Sequence, residues 1–339
     1  MGILLIRRRG RQILNLVLGA LILLIVVMGA FRWSANVREV MLFSAELRHD
    51  GRFVNTSEGV FYLLEAGEPE NWQVLFAHGT AAWSGLWRRT LESTASAGFF
   101  ATGFDMPPFG WSEHPVGNDY SRPKQAERVI SLLEALGTQP IMMAHPFGAG
   151  PVVEAVMRRP DLLSGLVIVG GAIALGSHDD PKYLPVLLHN STFREYVTAA
   201  TATNPYLTGW FLRRFIHVKE AATPELIAWL QEPMKSEGYT NALNNWLPQL
   251  FDTPLDAVSI RPESWRALDL PVALIWGKED TVTPPEHAEE LAELVPGAGI
   301  KMLDGVGHVP HIEAPKAFQT ALIGALRDFS IPATGGIQE

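Results

Sequence analysis

Cysteine is absent from the 339 residues, which excludes a disulfide scaffold, a thiolate zinc site, an iron–sulfur cluster and a cysteine nucleophile. Acidic residues are missing from the first 38 positions, the first being Glu39. There is no glycine-rich phosphate loop, no dinucleotide fingerprint and no basic stripe, so neither a nucleotide cofactor nor a nucleic-acid partner is expected. The one cluster with metal-binding residue types, His178-Asp179-Asp180, has adjacent side chains that point apart and no second histidine at helical spacing. It reads as a solvated loop, and no metal is expected. Internal repeats and low-complexity tracts are also lacking.

What is present begins with a charge-free run. Residues 13–31 carry only Asn15 as a strongly polar residue. Nineteen residues at ~1.5 Å rise per residue reach about 28 Å, close to the hydrocarbon thickness of a bilayer. Arg7, Arg8, Arg9 and Arg11 precede the run, and Arg32 and Trp33 follow it. The arginines place the N-terminus in the cytoplasm by the positive-inside bias, with Trp33 at the far interface and the main domain extracytoplasmic. The alternative is a cleaved signal peptide. The run is longer than the usual ~7–15-residue apolar region of such a peptide, and Met28-Gly29-Ala30 is a poor cleavage site. A single-pass membrane anchor is therefore expected. Five of the 27 basic residues lie before residue 36, so 22 face 36 acidic residues beyond it, a charge of −14 against −9 for the whole chain. Such an acidic domain would not itself adhere to anionic lipid.

Beyond the anchor, short apolar β-rich runs recur at 59–64, 73–77, 99–104, 140–144, 166–169, 272–276 and 300–303, separated by helical patterns clearest at 124–136, 149–158, 285–294 and 315–329. Strands alternating with helices imply right-handed βαβ units and a mainly parallel sheet. The alternation lapses over 174–265, where helical stretches carry Trp210, Phe211, Phe215, Trp229 and Trp246. We read this as a helical insertion whose aromatics mostly serve helix packing. The expected organisation is a stub and anchor over 1–35, an α/β core over 36–173 and 266–332, a helical cap over 174–265 and a loose tail over 333–339.

In parallel sheets chemistry gathers at the carboxyl ends of the strands. The loop after 73–77 holds His78-Gly79-Thr80, where a glycine lets a backbone N–H approach a substrate oxygen. The loop after 99–104 runs from Asp105 to Ser112 through Pro107, Pro108 and Gly110. Asp280 follows the 272–276 run, and His308 follows the 300–303 run, 28 residues later. An acid orienting a general base suits that pair. After 140–144 comes His145-Pro146-Phe147-Gly148-Ala149-Gly150, a strand, a sharp turn and a helix, with glycines spaced as a nucleophile elbow requires.

In the order of these motifs the chain resembles the α/β-hydrolase superfamily over about 55–330, most of all its capped lipase, esterase, epoxide-hydrolase and C–C hydrolase members. The resemblance implies Asp280 as triad acid, His308 as triad base, and the Thr80 and Phe147 N–H groups as oxyanion hole. It assigns structural places to His311 and Glu313. The family's Ser, less often Asp or Cys, would stand at position 146, where this chain has Pro146. Proline has no nucleophilic atom and fixes φ near −65°, whereas an elbow residue normally has φ above zero, so the turn is expected to be distorted. Three readings stay open. One is a membrane-anchored hydrolase of a hydrophobic ester or related acyl substrate, inactive or impaired because of Pro146. The second is a cofactor-independent general-base enzyme using His308 and Asp280. The third is a non-catalytic binding protein on the same fold. Ser84 and Ser112 lie in neighbouring loops, and neither shows the features of a replacement nucleophile. The partners expected are a small hydrophobic substrate and, through 13–31, a lipid bilayer.

Overall fold

The structure, a computed structural model, describes residues 2–42, 50–173, 175, 184–251 and 255–330. The trio His178-Asp179-Asp180 and the tail from residue 333 lie outside them.

Eight strands form one sheet: β1 (Arg52–Thr56), β2 (Gly59–Ala66), β3 (Gln73–Ala77), β4 (Phe100–Phe104), β5 (Ile141–Ala144), β6 (Gly165–Val169), β7 (Val272–Gly277) and β8 (Gly299–Leu303). Their spatial order is β1-β2-β4-β3-β5-β6-β7-β8. The ladders from β4 through β8 are parallel, and β1–β2 and β2–β4 are antiparallel. Burial explains the sequence pattern. Strands β3, β5, β6 and β7 are buried at every position, so they read as unbroken apolar runs. Edge strands β1 and β8 alternate between exposed and covered positions. The hairpin β1–β2, which the run at 59–64 only half reveals, turns at Ser57-Glu58 and closes at Gly59, whose φ of 116° suits glycine alone.

Twelve α-helices accompany the sheet among the described residues. Helix α1 (Gly2–Arg38) precedes it. Helices α2 (Arg88–Ser96), α3 (Arg122–Leu136) and α4 (Pro146–Arg158) alternate with strands, as do α10 (Glu286–Leu294), α11 (Pro310–Glu313) and α12 (Pro315–Ser330). Between β6 and β7 the chain leaves the sheet for α5 (Ser191–Ala200), α6 (Pro205–Phe215), α7 (Pro224–Leu230), α8 (Tyr239–Trp246) and α9 (Pro262–Arg266). Two apolar layers sandwich the sheet. One centres on Leu75, Met142, Ile168, Leu274 and Val152. The other centres on Phe76, Met143, Val167, Ile275 and Phe318. Successive residues of each strand feed opposite layers, the period-two consequence of the pleat. Of the inserted aromatics, Trp246 is buried as helix packing predicts, but Trp210 and Phe215 are exposed.

Among the described residues one helix is long and apolar enough to cross a membrane, α1 over Arg11–Arg38, and its most apolar window is unburied by the rest of the chain.

Candidate active site

At the carboxyl end of β7, the backbone turns at Asp280 so that its carboxylate becomes the hub of its own loop. Oδ1 accepts the N–H of Val282 at 2.8 Å and of Thr283 at 2.9 Å. Oδ2 lies 2.8 Å from both Thr283 Oγ1 and His308 Nδ1. Thr283 is tied in turn to β6 through Gly170 O, 3.0 Å from its hydroxyl, and its own carbonyl accepts the Trp276 indole N–H at 2.8 Å. These bonds hold the acid in one orientation. Since a carboxylate only accepts, His308 carries a proton on Nδ1, and Nε2 is the ring nitrogen that does not face the acid. Both residues are buried. The structure thus brings together Asp280 and His308 from loops at the ends of β7 and β8. Thr283 is the residue that sequence reasoning missed, although a threonine three positions after an aspartate is a common turn signal.

Below His308 sits the turn after β5. His145 Nε2 is 2.8 Å from the His308 carbonyl oxygen. A carbonyl cannot donate, so Nε2 bears the proton and Nδ1 is bare. Nδ1 faces Gly79, where an added Cβ would approach it to 2.6 Å, so a side chain at position 79 would displace the imidazole. Pro146 Cδ would lie 3.6 Å from the same Cβ. The Gly79-Thr80 loop therefore lies directly over the turn at Pro146.

Helix α4 starts at Pro146 itself, with His145 extended at φ −103° and ψ 157°. Proline suits the first helical position, where a backbone N–H would have no helical acceptor. Position 146 is not among the described non-glycine residues with positive φ, which are Ala81 at 56° and Asn118 at 50°. The expected distortion takes the form of a relaxed helix start, and the left-handed residue in this region is Ala81, beside Thr80. Phe147 N–H belongs to the first turn of α4, whose donors have no intrahelical partner. Thr80 is exposed at the turn.

The remaining sequence candidates are structural. His78 Nδ1 donates to Gly79 O at 2.8 Å, and Nε2 accepts Met106 N–H at 2.9 Å. Burial pushes its pKa down to about 4, so it is a neutral brace between the loops after β3 and β4. Asp105 accepts Ser84 N–H at 2.5 Å and Trp111 N–H at 2.7 Å. Ser112 Oγ donates to Asp105 O at 2.6 Å and accepts Tyr62 N–H at 2.9 Å, and the buried Ser84 Oγ has no hydrogen-bond partner among the described residues. Neither serine is paired with a base. Glu313 gathers four backbone donors. Its Oε2 accepts from His217 at 2.8 Å, Val218 at 2.9 Å and Gly307 at 3.0 Å, and Oε1 accepts from Val309 at 2.9 Å. It ties the chain after α6 to the loop that carries His308.

His311 is buried with both ring nitrogens unpartnered among the described residues, its ring 3.9 Å from the Trp87 ring and 5.1 Å from that of His145. Burial, reinforced by His308, pushes its pKa down to about 3. Burial likewise holds His145 well below the ordinary histidine value, helped by His311 and His308.

The fold has known counterparts. The α/β hydrolase fold family profile matches residues 73–315. The chain belongs to the α/β-hydrolase fold family. Among curated relatives, the uncharacterized hydrolase YugF of Bacillus subtilis is 25% identical over 217 residues, covering 62% of this chain and 74% of YugF. Lipase 3 of a Moraxella species is 26% identical over 221 residues, covering 62% of this chain and 64% of the lipase. Among solved structures, a membrane phospholipase A superposes with a TM-score of 0.65 at 20% identity, covering 96% of this chain and 99% of that one. That likeness is one of fold. The chain is thus a hydrolase-type member of that family, with Asp280, His308 and Pro146 following β7, β8 and β5.

Proposed function

We propose that this α/β-hydrolase is a membrane-anchored acyl-ester hydrolase by lineage, arrested at acylation because residue 146 is proline. The observation that carries the reading is the Asp280–His308 pair, 2.8 Å apart and fixed by Thr283, standing over a turn that supplies no nucleophilic atom. The kinship with a named lipase supports an ester of a hydrophobic acyl group as the substrate class. In the anchored form, residues 13–31 cross the bilayer with the arginine cluster on the cytoplasmic side.

With serine at 146, the roles follow from the geometry. His308 Nε2 takes the hydroxyl proton as Oγ attacks the ester carbonyl, and Asp280 stabilises the resulting imidazolium. The carbonyl oxygen, now an oxyanion, faces the N–H groups of Thr80 and Phe147. The proton on His308 then passes to the leaving alcohol, and water repeats the sequence to release the acid. Proline removes the first step and leaves the rest of the apparatus standing.

Full-length Pro146→Ser is expected to gain covalent labelling by a fluorophosphonate and hydrolysis of a short p-nitrophenyl ester. Adding His308→Ala or Asp280→Asn should lower that hydrolysis by ~10²–10⁴-fold. A folded Pro146→Ser protein that is neither labelled nor active refutes the proposal.

A further inference from the structure

The start of the cap is built against the anchor helix. Helix α1 runs without a break from its apolar stretch to Arg38, so no flexible linker separates the two. Partly or fully buried positions on it are Met28, Gly29, Phe31, Arg32, Ala35 and Arg38, followed by Glu39 just past its end, a recurrence every three to four residues that marks one helical stripe. Helix α5 of the insertion packs on this helix. Arg32 pairs with Glu195 of α5 at 2.5 Å. Nearly two turns further on, Arg38 Nε donates to Met234 O at 2.9 Å, and Met41 exchanges backbone bonds with Lys235 O at 3.0 Å and Glu237 N at 2.9 Å. The stripe begins at Met28, three residues inside the end of the apolar run at Phe31. From Phe31 to Arg38 a helix rises only ~10 Å. This side of the cap therefore stands level with the last turn of the run, not at the end of a tether.

At that level the cap exposes apolar groups. The turn Val186–His189 precedes α5 and leaves Val186 84% and Leu187 69% exposed. On α5, Phe193 and Tyr196 are each 37% exposed. At ~100° per residue they share one face, a quarter-turn or more away from Glu195 and hence beside α1, not beneath it. Trp33 on α1 is 69% exposed. Aliphatic side chains flanked by Tyr and Trp are the residue types that settle at the boundary between headgroups and acyl chains.

We propose that the cap edge formed by Val186, Leu187, Phe193 and Tyr196 is a lipid-docking surface, seated in the interfacial layer of the bilayer that α1 crosses. This rests on reading α1 as a bilayer anchor. It adds that the catalytic domain is held against the membrane in one orientation, cap edge first.

The cysteine-free chain makes a direct test available. Single-cysteine variants Leu187→Cys, Leu21→Cys and Glu70→Cys of the full-length protein are labelled with a nitrobenzoxadiazole fluorophore. They are reconstituted in phosphatidylcholine–phosphatidylglycerol vesicles with and without a shallow acyl-chain nitroxide. Leu21 lies within the apolar run, and Glu70 is an exposed residue before β3, at the opposite end of the sheet strands from the site. The expected result is loss of most emission at Leu187 and Leu21 and none at Glu70, with Leu187 quenched more by a shallow than by a deep nitroxide. Quenching at Leu21 without quenching at Leu187 overturns the docking surface and leaves the anchor intact. Quenching at neither removes both. Emission at Leu187 that is low without nitroxide and recovers on dilution with unlabelled protein means that a second copy covers the patch, which also overturns the proposal.

Discussion

Lowering the pH from 7 to 5 should remove much of this protein's stability, through histidines that the fold buries in their neutral form. In the folded chain the pKa values of His78 and His311 are pushed down to about 4 and about 3. In the unfolded chain both titrate near ~6.5. The native state therefore binds fewer protons than the unfolded state over this window, and stability falls as the pH falls. The loss begins near pH 6.5 and is complete only below the folded values. At pH 5 each unfolded-state imidazole is almost wholly protonated and each folded one almost wholly neutral. The difference is ~1.5 pH units, or about 2 kcal/mol per residue and about 4 kcal/mol for the two. His145, held low by the same burial, acts in the same direction. A native state stable by ~5–15 kcal/mol cannot absorb this unnoticed. The assay is urea unfolding of the detergent-solubilised protein, followed by tryptophan fluorescence at both pH values. His311→Phe provides the internal check. It removes two buried nitrogens that lack partners, keeps a ring against Trp87, and should shrink the pH-dependent loss by about 2 kcal/mol. Equal stability at pH 7 and pH 5, or an undiminished loss in His311→Phe, would refute the reasoning.

Two further substitutions test the loops around the site. Glu313→Ala leaves four backbone N–H groups without their carboxylate, and at ~1 kcal/mol for each orphaned donor the expected cost is about 4 kcal/mol in urea unfolding. A loss below ~1 kcal/mol would mean that water replaces the carboxylate and that Glu313 does not hold the cap to the His308 loop. Ala81→Gly should stabilise the protein by ~0.5–1 kcal/mol, because φ of 56° strains alanine and not glycine. Destabilisation by that change would show that the turn beside Thr80 is not left-handed in solution.

The sequence by itself determined the order of elements and the positions of Asp280 and His308 at strand ends. Strands β3, β5, β6 and β7 were legible because both of their faces are covered, which forces an uninterrupted apolar run. Asp280 and His308 were legible because each follows such a run, and chemistry in parallel sheets collects where strands end. The helical insertion was legible as a lapse in alternation, and the proline that opens α4 as a single letter. Strand β1 was not legible, since an edge strand is half exposed and its alternation over five residues is a weak signal. Helix α2 escaped for a similar reason, being short and polar on its outer side.

Only the tertiary structure decided what depends on distance between separate elements. Thr283 acquires its place by reaching both Asp280 and β6, and Glu313 by collecting amides from two segments nearly a hundred residues apart. The neutral state of the buried histidines follows from their being packed together away from water, a consequence of burial that no spacing encodes. Composition alone marked the apolar run of α1. That its last turns carry Arg32 to Glu195, and so hold the cap beside the run's end, is a contact between residues 163 positions apart. Proline at 146 was likewise visible in the sequence. Its accommodation as the first residue of α4 was settled by backbone geometry, because a proline whose N–H is not needed fits a helix start without strain.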